Sequence, residues 1–266
     1  GARLFLGENM GGPEIVALAN GMVAVFSTRS PDKDESKRNE DSLGLFPVGN
    51  EAVVIAVADG MGGQPMGGEA ADIAIDTLGT SLAGAGSNGR LRPAILDGVD
   101  SADAAVKSLG VGAATTLVVA QVQGKTVRPY HVGDSHLLLV GNRGKVRFQT
   151  IAHSPVGYAV EAGVLDEKGA MFHEDRHLVS NMIGSPEMHV DIGSRIRLQK
   201  RDTLVLGSDG LFDNLHLDEI VQISRKGPLQ KVAQNLHQTC VKRMQQGHGA
   251  APSKLDDMTF VVFRLS

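Results

Sequence analysis

Cysteine occurs once in the chain, as Cys240. A single thiol excludes an intramolecular disulfide and fits a reducing compartment, so a cytoplasmic location is expected. Its setting within residues 236–244 reads as the buried face of a helix. Long apolar runs are missing too: the longest, residues 52–58, has seven residues, against the roughly 20 that a membrane helix needs. No membrane contact is expected of the chain itself, although it begins Gly1-Ala2 rather than with methionine, which leaves room for a longer, anchored parent. Nor is there a basic stripe. The 26 basic residues are interspersed with 30 acidic ones, for a net charge of −4, and a nucleic-acid partner is excluded on that ground. No internal repeat and no shift of composition divides the chain. Its 42% hydrophobic content over 266 residues can bury a sizeable core, and one domain spanning residues 1–266 is the expected organisation.

Short runs rich in Val, Ile and Leu, bounded by turn residues, predict strands over residues 22–27, 42–46, 52–58, 115–121, 126–132, 137–140, 145–151, 204–206 and 258–265. Gly124-Lys125 and Gly141-Asn142-Arg143-Gly144 supply hairpin turns and favour antiparallel pairing. Helical periodicity covers residues 68–82, with Ala70, Ala71, Ala74, Ile75 and Leu78 on one face, and residues 93–109, 218–224 and 229–244. Residues 1–20, broken by Gly7, Gly11, Gly12 and Pro13, read as an extension without a defined element, and residues 84–89 as a surface loop. Strands and helices come in grouped runs, without a β–α–β rhythm, which indicates a layered α+β fold.

Four acidic blocks adjoin the strand ends: Asn39-Glu40-Asp41, Asp59-Gly60-Met61-Gly62-Gly63, Ser208-Asp209-Gly210 and Asp256-Asp257-Met258-Thr259. Carboxylates delivered from strand ends can converge although they are distant in sequence. Two unit charges about 4 Å apart repel by about 4 kcal/mol at an effective dielectric of 20, so such a cluster calls for cations. Carboxylates, a backbone carbonyl such as that of Gly60, and water form the oxygen set that Mg²⁺ and Mn²⁺ favour. Taken alone, any one of these Asp residues reads as a turn former or helix cap; four blocks, each against an apolar strand, argue for a metal site.

In order and spacing the blocks resemble the metal-dependent protein phosphatases of the type-2C class, the PPM family. Gly112-Ala113-Ala114-Thr115-Thr116, His131-Val132-Gly133-Asp134-Ser135 and Ser208-Asp209-Gly210-Leu211-Phe212-Asp213 extend the likeness, which runs from about Met22 to Ser266. The resemblance implies two antiparallel sheets packed face to face with helices outside, a four-layer αββα sandwich. It also implies a binuclear Mg²⁺/Mn²⁺ centre at one edge. Asp59 would bridge both ions, the Gly60 carbonyl would bind one, and Asp209 and Asp256 the other. Glu40 and Asp41 would act mainly through metal-bound waters, and Asp134 would serve a third, weaker site. Asp41, Asp59 and Asp209 are thereby the expected catalytic residues. A water shared by two cations would attack phosphoserine or phosphothreonine of a protein substrate in line, without a phosphoenzyme. A monomer is expected.

Two departures matter. Met61 stands where eukaryotic members often carry His, which points to the bacterial branch. Ser36 stands where a phosphate-binding Arg is usual, leaving Lys37 and Arg38 as the nearest substitutes, with a solvated charge run as the alternative; His136 likewise replaces a frequent Arg. Residues 153–184 correspond to a variable flap, which could gate substrate entry.

Other readings compete. His173-Glu174-Asp175-Arg176-His177 satisfies the HExxH pattern of zinc peptidases, which requires a helix. Gly133-Asp134-Ser135 with Asp213-Asn214-Leu215-His216 is similar to blocks of lipolytic serine hydrolases, but its place in mid-chain argues against it. No Gly-Lys-Ser/Thr follows the glycines after Asp59, which excludes a nucleotide loop. A catalytically impaired phosphatase-fold binding module is the non-enzyme alternative.

Overall fold

The computed structural model describes residues 1–61, 66–85, 90–246 and 251–266. Gly62 and Gly63, and most of the loop expected over residues 84–89, lie outside them.

Strand β5 (Ala52–Asp59) explains the architecture in miniature. Val53, Ile55 and Val57 point into a core shared by two sheets, while Val54, Ala56 and Ala58 point the other way, into a core beneath helices. Side chains alternate across a strand, and with both faces covered the run reads as continuously apolar. Fully burying each Val or Ile is worth about 1.5–3 kcal/mol.

The first sheet runs in the spatial order β1 (Arg3–Leu6), β4 (Asp41–Val48), β5, β6 (Leu117–Gln123), β7 (Thr126–Val132) and β10 (Asp191–Ile192), with β11 (Ile196–Arg197) also on β7. The second runs β2 (Glu14–Leu18), β3 (Gly21–Thr28), β13 (Met258–Leu265), β12 (Thr203–Gly207), β8 (His136–Val140) and β9 (Val146–Gln149). Each pairing is antiparallel. Helices α1 (Gly67–Ala85) and α2 (Leu91–Ser108) cover the first sheet, and the face predicted for α1, Ala70 to Leu78, is the one it buries there. Helices α5 (Asp209–Phe212), α6 (Leu217–Ser224) and α7 (Leu229–Gln246) cover the second, with Cys240 buried among them. The result is the expected four-layer sandwich.

Residues 1–20 depart from the expectation. They hold two strands: β1 extends one sheet at β4, and β2 extends the other at β3. Each buries only one residue, so neither shows the apolar run that marks the other strands, but an existing sheet edge supplies the missing partners. Strands β10 and β11, of two residues each, and the single turn α5 also went unpredicted. The flap region carries α3 (Pro155–Glu161), capped by Ser154, whose Oγ accepts from the Gly157 N–H at 2.9 Å, and α4 (Glu167–Ala170). Among the described residues no helix is long and apolar enough to cross a membrane.

Candidate metal centre

Antiparallel pairing places the end of one strand beside the start of the next. Asp41 opens β4 and Asp59 closes β5, and the two are register partners. In the second sheet β12 ends at Gly207, paired with Phe260 of β13, so that Asp209 and the Asp256-Asp257 pair lie on one rim. The two rims meet: Ser208 Oγ donates to Asp41 Oδ2 at 2.7 Å and also takes up the Thr259 N–H at 3.1 Å. Backbones approach closely here. A Cβ at Gly210 would strike the Asp257 carbonyl, and one at Gly60 would strike the Gly67 carbonyl, so only glycine fits at either position.

The electrostatics follow from this crowding. Burial, then the charges of Asp257, Asp256 and Asp209, hold the Asp41 carboxyl well above its ordinary range. Asp59 is raised well above it by burial and by Asp41, Asp209, Asp256 and Asp134. Asp134 is pushed up to about 8 by burial and Asp209, Asp256 to about 7 by the same two causes, and Asp213 to about 6 likewise. Two carboxylate oxygens, Asp41 Oδ1 and Asp209 Oδ1, are buried with no hydrogen-bond partner among the described residues. An orphaned buried acceptor costs about 1–3 kcal/mol, more when charged. Hard oxygen donors with unspent lone pairs fit Mg²⁺ or Mn²⁺.

Asp41, Asp59, Asp134, Asp209 and Asp256 thus share one charged neighbourhood. Glu40 joins it from the side, held by Lys33 Nζ at 2.8 Å. Lys33 also reaches Asp257 Oδ2 at 2.7 Å, and Asp257 in turn accepts the N–H groups of Ser30 at 2.8 Å and Glu40 at 2.7 Å. Burial pulls the Lys33 ammonium down, but these two carboxylates outweigh it and leave it raised. A second lysine, Lys254, bonds Asp209 Oδ2, stands 2.9 Å from Asp256 Oδ2 and 3.6 Å from Asp213 Oδ2. Neither lysine stands out in the sequence: Asp256 and Glu40 lie near them along the chain, but Asp209 and Asp213, which meet Lys254, and Asp257, which meets Lys33, arrive from distant positions.

Several sequence candidates fall elsewhere. Arg38, a candidate phosphate ligand, pairs instead with Asp72 of α1 at 2.8 Å, and its Nε donates to the Asn39 carbonyl at 3.2 Å. Lys37 is exposed, with its backbone N–H on the Asp34 carbonyl at 3.1 Å. The HExxH segment is a turn, not a helix: His173 Nδ1 accepts the Asp175 N–H at 3.1 Å, and the two histidines are not presented one helical turn apart. Ser135 is buried against Thr116 Oγ1 at 2.6 Å, not poised as a nucleophile beside a histidine.

Among the described residues, the one trio of His, Cys or acidic side chains whose ligand atoms all lie within 4.8 Å of one another is His131, His153 and Asp191. Its hydrogen bonds argue against a metal. His153 Nδ1 accepts from the Gly133 N–H at 3.1 Å and the Asn181 amide at 2.8 Å; that amide is fixed by two bonds to the His189 backbone. The proton of neutral His153 therefore sits on Nε2, which lies 3.1 Å from Asp191 Oδ2 without meeting it in hydrogen-bond geometry. His131 Nε2 meets the Ile151 carbonyl at 2.8 Å. Burial, then the neighbouring His153, lowers the His131 imidazole to about 4. The trio ties the start of the flap to β7 and β10.

A cavity of about 520 Å³ opens beside Asp134 and Asp209, with Val156, Val160 and Met171 of the flap region facing Phe212 and Val221.

A sandwich of two antiparallel sheets carrying a carboxylate rim of this kind defines a metal-dependent hydrolase. The protein phosphatase 2C family matches residues 33–247, and the chain belongs to that family. A 2C-type protein phosphatase of Streptococcus pyogenes is 30% identical over 207 residues, covering 74% of this chain and 83% of that protein. The serine/threonine phosphatase of S. agalactiae superposes with a TM-score of 0.77 at 25% identity, covering 92% of this chain and 99% of that one. The catalytic domain of the phosphatase PstP, solved with two manganese ions, shares the fold with a TM-score of 0.69 at 23% identity, over 91% and 97% of the two chains. The chain is an enzyme, a bacterial-type protein serine/threonine phosphatase.

Proposed function

We propose that this chain, acting as one catalytic domain and as a cytoplasmic monomer, hydrolyses phosphoserine and phosphothreonine in proteins at a binuclear Mg²⁺ or Mn²⁺ centre. The observation that carries the reading is the pair of buried oxygens, Asp41 Oδ1 and Asp209 Oδ1, that find no hydrogen-bond partner among the described residues, on a rim where burial and neighbouring carboxylates hold Asp41, Asp59, Asp134 and Asp256 above their ordinary range. Asp59 would serve both ions, the Gly60 carbonyl one and Asp209 and Asp256 the other, with Glu40 and Asp41 behind and Asp134 at a third position. When bound, the ions would supply an activated water and neutralise charge on the phosphoryl group. The chain's own residues set the geometry. Ser208 fixes the Asp41 carboxylate, Lys33 fixes Glu40, and Gly210 lets the Asp256-Asp257 backbone approach Asp209. Arg38 is engaged by Asp72, which weighs against a role in holding phosphate.

The impaired-module alternative gains nothing here, since every expected carboxylate is present, and the zinc-peptidase alternative lacks its helix. The test is release of phosphate from a phosphothreonine peptide with Mn²⁺ or with EDTA, comparing the unaltered chain with Asp209→Asn and His173→Ala. Mn²⁺-dependent release lost only in Asp209→Asn is expected. Release that survives EDTA, or loss in His173→Ala, would overturn the assignment.

A further inference from the structure

Among the described residues, Lys254 is the one cation bonded to the Asp209–Asp256 side of the rim. Its ammonium bonds Asp209 Oδ2, lies 2.9 Å from Asp256 Oδ2 and 3.6 Å from Asp213 Oδ2, and its side chain keeps 21% of its exposure. The aim is built into the backbone. Asn214, fully buried, clamps Lys254 from both sides of its peptide plane: its Oδ1 accepts the Lys254 N–H at 2.8 Å, and its Nδ2 donates to the Lys254 carbonyl at 2.9 Å and to Gly210 O at 2.8 Å. The preceding residue is fixed as well, with Ser253 Oγ donating to the Arg243 carbonyl at 3.1 Å and Ser253 O taking up Arg176 Nη2 at 3.2 Å. A lysine on a mobile loop could point anywhere; this one starts from a backbone held on both sides.

We propose that Lys254 is a tethered counter-cation, a positioning residue that occupies the Asp209–Asp256 half of the centre in the absence of metal and must withdraw before a divalent ion can take that half. The inference rests on the metal-centre reading above. Asp209 has one oxygen on Lys254 and the other, Oδ1, buried with no partner among the described residues, so the ammonium satisfies only part of what a divalent ion would. The exchange is therefore an equilibrium between a lysine-in and a lysine-out state. Only the second competes for metal, and apparent affinity falls by the fraction that is competent. The Gly60 side, to which none of the polar contacts of Lys254 among the described residues extends, escapes this competition. The two halves should fill at different Mn²⁺ concentrations.

The test is calorimetric titration of the metal-free chain with Mn²⁺, together with thermal unfolding in EDTA. Lys254→Met, which keeps the length and drops the charge, should bind Mn²⁺ at the weaker step roughly tenfold more tightly or better, as expected if the lysine-out state is a minor one, and should melt at a lower temperature without metal. Lys254→Arg should stay close to the unaltered chain in both. If Lys254→Met is unfolded without metal, the Lys254→Met/Asp213→Asn double variant removes one charge of each sign and carries the same expectation. Unchanged or weakened Mn²⁺ binding in the charge-free variants overturns the proposal while leaving the metal centre standing. An unaltered chain that binds no Mn²⁺, or an Asp209→Asn chain that binds it as well, overturns the metal centre and this proposal with it.

Discussion

Asp257 is the most consequential residue of the rim that is expected to bind nothing but protein. Its side chain is 3% exposed, and it accepts the Ser30 N–H, the Glu40 N–H and the Lys33 ammonium within 2.7–2.8 Å. It thereby pins the end of the β3 loop to the start of β4, where Glu40 and Asp41 are delivered. Asp257→Ala removes all three acceptor contacts. Lys33 retains Glu40 at 2.8 Å, so the main loss falls on two backbone donors. Leaving each unsatisfied costs about 1–3 kcal/mol. Glu40 is only half-buried, and water reaching its N–H trims the sum to about 3 kcal/mol. For a chain of this size each kcal/mol moves the melting temperature by about 2–4 °C, giving a drop of roughly 6–12 °C. Differential scanning calorimetry in EDTA reads the effect. A shift smaller than about 2 °C, which is under 1 kcal/mol, would refute the view that Asp257 clamps the loop; a full shift with unchanged Mn²⁺ titration would show that the clamp does not position the metal ligands.

Arg38→Ala should leave KM for a phosphothreonine peptide within about twofold and stability within about 1 kcal/mol, because the pair with Asp72 is solvent-accessible and such pairs contribute about 0–1 kcal/mol; a tenfold rise in KM would restore Arg38 to the phosphate site. His131, lowered from 6.5 to about 4 by burial and by His153, gives a pH dependence of definite sign. Between those values the unfolded chain binds a proton that the folded chain refuses, so this contribution is complete above about pH 6.5 and is lost as pH falls toward 4. At most it amounts to roughly 3 kcal/mol. Urea unfolding of the unaltered chain and of His131→Gln from pH 7 to 4 should give stability curves that differ in slope over this window, and parallel curves would refute the assignment.

Most of the sandwich is legible in the sequence because its strands are buried on both faces. β5 and β13 need no partner to be recognised: eight residues each of mostly apolar character suffice. β1 and β2 are strands only because the edges of β4 and β3 exist to receive them, and no local pattern holds that information. The same division runs through the site. The acids betray themselves because each stands where an apolar run begins or stops, and that is a local fact. Their counter-charges do not, since Lys33 meets Asp257 across 224 positions and Lys254 meets Asp209 across 45. HExxH fails for the converse reason. Its spacing is local, but the helix that would give the spacing meaning never forms, and Arg176 donates instead to the Met171 and Ser253 carbonyls. Spacing alone therefore identifies a site only where the backbone conformation is fixed by the same residues. At the ends of buried strands it is, because burial sets the strand and the strand sets where the next carboxylate points.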